Sequence, residues 1–118
     1  MVYNILITDD SIIMRQMLNM TLTDAEYSVI EAGDGLEALE LAKVHLFDLV
    51  ITDINMPIVD GFELVNKVCK KPNSFPVIAL SGAMDGDRRA KLLDAGVAFA
   101  LSKPFELNTL AACIEATL

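Results

Sequence analysis

Short apolar runs alternate with helix-like segments from one end of this chain to the other, and that alternation restricts it to an α/β sheet. Residues 4–8, 27–30, 48–52, 76–80 and 98–102 read as strands. Residues 11–23, 36–46, 62–70, 85–95 and 106–118 read as helices. The third and fourth strands are apolar on both faces, as in a parallel sheet covered by helices. Right-handed crossovers then leave a doubly wound, five-stranded parallel sheet. The length of 118 residues predicts one domain spanning 1–118, with no repeat or linker.

Local signals agree with this division. Ser11 is a candidate N-cap for the first helix, which carries Met14, Met17, Leu18 and Leu22 at helical spacing. Its three methionines read as core filler. In the second helix, Leu39 and Leu46 flank Ala42 on one face, and in the third Phe62, Val65 and Cys69 fall in register. Asn55-Met56-Pro57 to Asp60-Gly61 reads as a loop, and Lys70-Lys71-Pro72 ends the third helix. Gly96 sits where a left-handed helix cap is expected. Leu107, Leu110, Ala111, Ile114 and Leu118 form one stripe of the last helix.

Composition removes several classes of function. A net charge of -8 argues against binding nucleic acid, which needs clustered Lys and Arg. Arg88, Arg89 and Lys91 form one tight basic cluster, which reads as a solvated helix face, with partner docking the lesser alternative. No apolar stretch approaches a membrane span and no secretory signal is visible, so a cytoplasmic protein that does not engage a membrane is expected. Cys69 and Cys113 read as reduced, small hydrophobes. His45 suits a helix C-terminus rather than catalysis.

The chemistry gathers at the ends of the strands. Four apolar runs stop at Asp9-Asp10, at Asp53, at Ser81 and at Lys103-Pro104. In an open α/β sheet, ligands bind outside the carboxyl ends of the strands. Asp9, Asp10 and Asp53 converge if the first and third strands are neighbours. Such a cluster raises the pKa of at least one member unless a cation compensates it. Mg²⁺ suits this set, since it takes oxygen ligands and keeps positions open for phosphate. Asp53 is placed to attack phosphorus as a nucleophile. Lys103 offers a point charge for a phosphate oxygen, and Ser81 a hydroxyl donor. Pro104 suggests a fixed peptide, with cis an option, aiming Lys103 inward. Each signal alone is better explained by turns and caps. Their coincidence on one edge reverses that preference.

The sequence closely resembles the receiver domain of two-component response regulators. The resemblance covers essentially the whole chain. It rests on Asp9-Asp10-Ser11 with Met14-Arg15, Ala32-Gly33-Asp34-Gly35, Thr52-Asp53-Ile54-Asn55-Met56-Pro57 with Asp60-Gly61, Ala79-Leu80-Ser81-Gly82, Ala95-Gly96 and Lys103-Pro104-Phe105. It implies the flavodoxin-like fold with strand order 2-1-3-4-5. It also implies that Asp53 accepts a phosphoryl group from a partner histidine kinase or phosphotransfer protein. Asp10, Asp53 and the carbonyl of Asn55 would bind Mg²⁺ directly, with Asp9 acting through water. Ser81 would be the switch hydroxyl and Lys103 the phosphate-binding amine. Such a protein is a signalling switch rather than an enzyme. It would control a downstream target protein as a monomer or weak dimer.

The sequence departs from the family pattern at Ala100, where an aromatic is usual, since strand alternation sends Phe99 to the opposite face. Gly82 and Ala83 replace larger residues after Ser81. The fourth helix, fifth strand and fifth helix are the expected output surface, with Phe99, Ala112, Cys113 and Ala116 as its apolar patch. Gly86-Asp87-Arg88-Arg89 with Leu101-Ser102-Lys103-Pro104 also resembles receivers fused to hybrid sensor kinases. The opening Met1 and single-domain length predict a stand-alone regulator instead. A Mg²⁺-dependent phosphatase would need a second acid where Asn55 stands. The intact Asp9, Asp10, Asp53 and Lys103 set argues against a degenerate, binding-only receiver, while Ala100 leaves that alternative some room. An FMN carrier would need a phosphate cradle where Asp9 and Asp10 stand.

Overall fold

The computed structural model describes residues 2–55, 61–69 and 75–118. Five strands alternate with five helices: β1 (Asn4–Thr8), α1 (Ile12–Asp24), β2 (Ser28–Ala32), α2 (Gly35–Val44), β3 (Leu49–Asp53), α3 (Gly61–Val68), β4 (Val77–Ser81), α4 (Gly86–Ala95), β5 (Phe99–Ser102) and α5 (Leu107–Thr117). All strand pairs are parallel, in the order β2-β1-β3-β4-β5. This is the expected doubly wound sheet and the strand order that the resemblance implies.

The sheet splits the core into two layers. Ile5, Ile7, Leu49, Ile51, Ile78 and Leu80 face Leu18 and Leu22 of α1 and Leu110, Cys113 and Ile114 of α5. Leu6, Val50, Val77 and Ala79 face Ala38 of α2, Leu64, Val65 and Val68 of α3, and Leu92 of α4. β3 and β4 are buried at every position, which explains their continuous apolar sequence. Ala100 packs in the second layer, while Phe99 and Leu101 pack in the first. The predicted divergence of positions 99 and 100 therefore holds.

Caps fix where the helices begin. Ser11 Oγ accepts from the Met14 amide, Asp34 Oδ1 from Glu37 and Asp85 Oδ1 from Arg88. Gly96 ends α4 at φ 110, the left-handed region expected of it.

Several expectations need correction. In α1, Met14 packs on the core, but Met17 and Met20 are exposed. Apolar residues surround this helix, and the sheet takes just the 14–18–22 stripe. α2 stops at Val44 with His45 as its C-cap, leaving Leu46 exposed rather than on the apolar face. Leu107 and Ala111 of α5 are also exposed. The buried stripe is Leu110, Cys113 and Ile114, so Cys113 belongs to the core and not to an output patch. Phe99 likewise packs inward, leaving Ala112 and Ala116 exposed on that surface. The predicted loop at Met56-Pro57 to Asp60, the side chain of Phe62 and the Lys70-Lys71-Pro72 stop lie outside the described residues. Among the described residues, no helix is long and apolar enough to cross a membrane.

Candidate functional site

Adjacent strands deliver the acids to one place. β1 and β3 pair in register from Ile5↔Leu49 to Thr8↔Thr52, so Asp9 and Asp53 emerge side by side. One carboxylate oxygen each from Asp9, Asp10 and Asp53 lie within 4.8 Å of one another. Asp9 and Asp53 are buried, at 1% and 6% exposure, and Asp10 is exposed. The cluster thus has two walls in the protein and one side facing solvent.

Each buried carboxylate is held from both sides. Asp9 Oδ1 accepts from the Ser11 amide at 2.9 Å, and its Oδ2 accepts from Lys103 Nζ at 2.9 Å. The Asp9 carbonyl accepts from Arg15 Nη1 at 3.1 Å, and Arg15 in turn pairs with Glu31 at 3.3 Å. That route runs close past Gly33, where a Cβ would stand 2.6 Å from Arg15 Nη1. The glycine expected at a turn is therefore also a clearance. Asp53 Oδ1 accepts from the Asn55 amide at 3.2 Å, and Lys103 Nζ lies 3.4 Å from its Oδ2.

Lys103 reaches this cluster from the far edge of the sheet. Its amide donates to the Ser81 carbonyl at 2.8 Å, fixing the chain just beyond β5. The Lys103–Pro104 peptide is cis, the option that Pro104 left open. One ammonium pairs with two of the three clustered carboxylates, and the balance of charge stays negative. Burial raises the pKa of Asp53 above its ordinary value. Lys103 offsets part of that rise, and the Asp9 carboxylate adds to it.

The donor set fits a hard divalent cation. All three acids are oxygen donors, they converge on one point, and one of them faces solvent. Asn55 is the second residue after β3, with its side chain exposed and its amide donating to Asp53 Oδ1. These are the residues that the sequence nominates, and the fold brings Asp9, Asp10, Asp53, Asn55 and Lys103 together.

Ser81 completes the group, but from inside β4 rather than beyond it. It is fully buried. Its Oγ accepts from the Ala83 amide at 3.1 Å and from Asn55 Nδ2 at 3.4 Å. It also accepts from Arg88 Nη1 at 3.2 Å, and the same nitrogen donates to Asn55 Oδ1 at 3.1 Å. The sequence pattern puts Arg88 on a solvated helix face. The structure corrects this: Arg88 turns back over the start of α4 into the site. Its neighbour Arg89 donates to the Ala100 carbonyl and to Ser102 Oγ, clipping α4 to β5. The available signal was Asp85, whose capping role fixes which basic residue points at the sheet edge.

A family model described as the response regulator receiver domain matches residues 5–115. The sensor protein EvgS of Escherichia coli is 40% identical over 107 residues, which cover 91% of this chain and 9% of that protein. The transcriptional regulatory protein PdtaR of Mycobacterium tuberculosis is 37% identical over 112 residues, covering 94% of this chain and 54% of that protein. The chain therefore spans at most about half the length of these curated relatives. Among solved structures, the chemotaxis response regulator CheY4 of Vibrio cholerae superposes with a TM-score of 0.92 at 36% identity, covering all of both chains.

Proposed function

Since the chain belongs to the response regulator receiver domain family of two-component signalling, we propose that Asp53 is its phosphoacceptor and that the site works with Mg²⁺. The observation that carries this reading is the shared ammonium. Lys103 Nζ reaches both Asp9 and Asp53 beside a three-carboxylate cluster, which is the charge arrangement that an incoming phosphoryl group requires.

The chemistry is a displacement at phosphorus. An Asp53 carboxylate oxygen forms the new O–P bond as the N–P bond of a phosphohistidine breaks. The electron pair of the broken bond leaves on the imidazole of the donor protein. Asp10, Asp53 and the Asn55 carbonyl would hold Mg²⁺, with Asp9 acting through water. When bound, the ion supplies neutralising charge and an anchor for phosphoryl oxygens. Asp9 also keeps Lys103 extended across the site, where its ammonium meets a phosphoryl oxygen. Burial of Asp53 on the protein side leaves approach from the Asp10 side.

Ser81 is the residue that senses the result. Its hydroxyl accepts from three donors and keeps its own proton for a stronger acceptor. A phosphoryl oxygen on Asp53 is such an acceptor. Reorientation of Ser81 alters its bonds to Ala83, Asn55 and Arg88 and hence the start of α4. The output surface is α4, β5 and α5, acting on a downstream protein. The upstream partner is a histidine kinase or phosphotransfer protein, and the setting is cytoplasmic. Residues 1–118 act as one receiver domain, as a monomer or weak dimer, on its own or within a longer protein.

The test is intact mass after incubation with acetyl phosphate, with and without Mg²⁺. Wild type should gain one phosphoryl group in the presence of Mg²⁺, and Asp53→Asn none. Equal modification of both proteins rules out Asp53 as the acceptor.

A further inference from the structure

Arg88 holds a specific position in the first turn of α4. It is the third residue after the Asp85 cap, and its amide is the one that Asp85 Oδ1 holds, at 2.7 Å. Helical side chains point back toward the helix N-terminus, so this register sends Arg88 toward the C-terminal edge of the sheet. There Nη1 bridges Ser81 Oγ and Asn55 Oδ1 at 3.2 and 3.1 Å. Those two residues flank the acceptor: the Asn55 amide holds Asp53 Oδ1, and Ser81 closes the neighbouring strand.

Both of these Arg88 acceptors are neutral. Phosphorylation replaces the single negative charge of Asp53 with a group carrying about two, and adds three strong acceptor oxygens. A guanidinium meets such oxygens as an ion pair in bidentate geometry, which the neutral hydroxyl of Ser81 and amide oxygen of Asn55 do not offer. The Ser81 oxygen has two lone pairs yet faces three donors. Its hold on any one of them is therefore weak.

We propose that Arg88 is a second phosphate-reading cation beside Lys103, which leaves Ser81 and Asn55 for the phosphoryl oxygens and draws the start of α4 toward Asp53. This inference rests on the phosphoacceptor reading of Asp53. It gives α4 a direct link to the modified residue. Arg89, the next residue, ties α4 to Ala100 and Ser102 of β5, so a shift at Arg88 is carried to that strand.

The experiment is a backbone-amide NMR titration of wild type, Arg88→Ala and Arg88→Lys with beryllofluoride and Mg²⁺. In wild type, the amides of 53–55, 81–83 and 86–95 should all shift. In Arg88→Ala, the amides around Asp53 should still respond, those of α4 should not, and affinity for beryllofluoride should fall roughly tenfold. Arg88→Lys keeps the charge without the paired geometry and should recover part of both effects. Unchanged affinity with wild-type shifts in α4 for Arg88→Ala overturns the inference while leaving Asp53 as acceptor. Loss of affinity in both variants alongside altered spectra before any addition shows a purely structural role, and also overturns it. No response at Asp53 in wild type removes the phosphoacceptor reading, and this inference with it.

Discussion

Lys103 Nζ stands 2.9 Å from Asp9 and 3.4 Å from Asp53, so a single ammonium serves two buried carboxylates unequally. Asp9 is the more deeply enclosed of the two and has the shorter contact. The lysine is therefore a structural partner of Asp9 as well as a charge held ready for Asp53.

Replacing Lys103 with Ala should destabilise the protein. Asp9, 1% exposed in the wild-type protein, would lose its cation, and an uncompensated buried charge costs about 3–5 kcal/mol. The remaining amide bond from Ser11 and access from the Asp10 side should hold the loss near the lower end. Urea unfolding in EDTA checks this, and added Mg²⁺ should recover part of the deficit. An unchanged midpoint in EDTA contradicts the pairing.

Asp53→Asn should act in the opposite direction in metal-free buffer. Burial, reinforced by Asp9, raises the Asp53 pKa above its ordinary 3.8. The folded state thus binds that proton more tightly than the unfolded chain does. Its contribution to stability is complete below the ordinary value and is lost as pH rises through the raised one. At neutral pH the variant should be the more stable protein, by on the order of 1 kcal/mol. The difference should shrink as pH falls toward 4, and Mg²⁺ should stabilise wild type more than the variant. Thermal melts across pH settle the sign.

Gly96→Ala isolates stability from signalling. Gly96 has φ +110, and a Cβ there would stand 3.3 Å from Cys69 Cβ. The strain of a left-handed backbone costs on the order of 1–3 kcal/mol for a residue other than glycine. The variant should melt at lower temperature while accepting phosphate from acetyl phosphate at the wild-type rate, because this cap lies at the far end of α4 from Asp85 and Arg88. A changed phosphorylation rate contradicts that separation.

Most of the site is legible in the sequence because each residue ends an apolar run. Asp9, Asp10, Asp53, Ser81 and Lys103 need no knowledge of packing beyond strand adjacency. The run-ends misplace Asp53 and Ser81 by one position, since both belong to their strands. Arg88 was not legible in the same way. Three basic residues share its segment, and the one that turns inward depends on the cap at Asp85, which pattern alone places only to within a residue. The exposed Met17, Met20 and Leu107 show a second limit. Periodicity marks apolar residues, but the width of the sheet decides which of them it covers. Leu46 fails for a third reason, because α2 ends where the chain turns to enter β3.

The central claim is that Asp53 carries the phosphoryl group. The direct measurement is to treat the protein with acetyl phosphate and Mg²⁺, reduce the acyl phosphate with borohydride, and locate the reduced residue by peptide mass spectrometry. Reduction at Asp53 alone, abolished by EDTA, is the predicted result. Reduction at Asp9 or Asp10, or no Mg²⁺-dependent reduction at any residue, would contradict it.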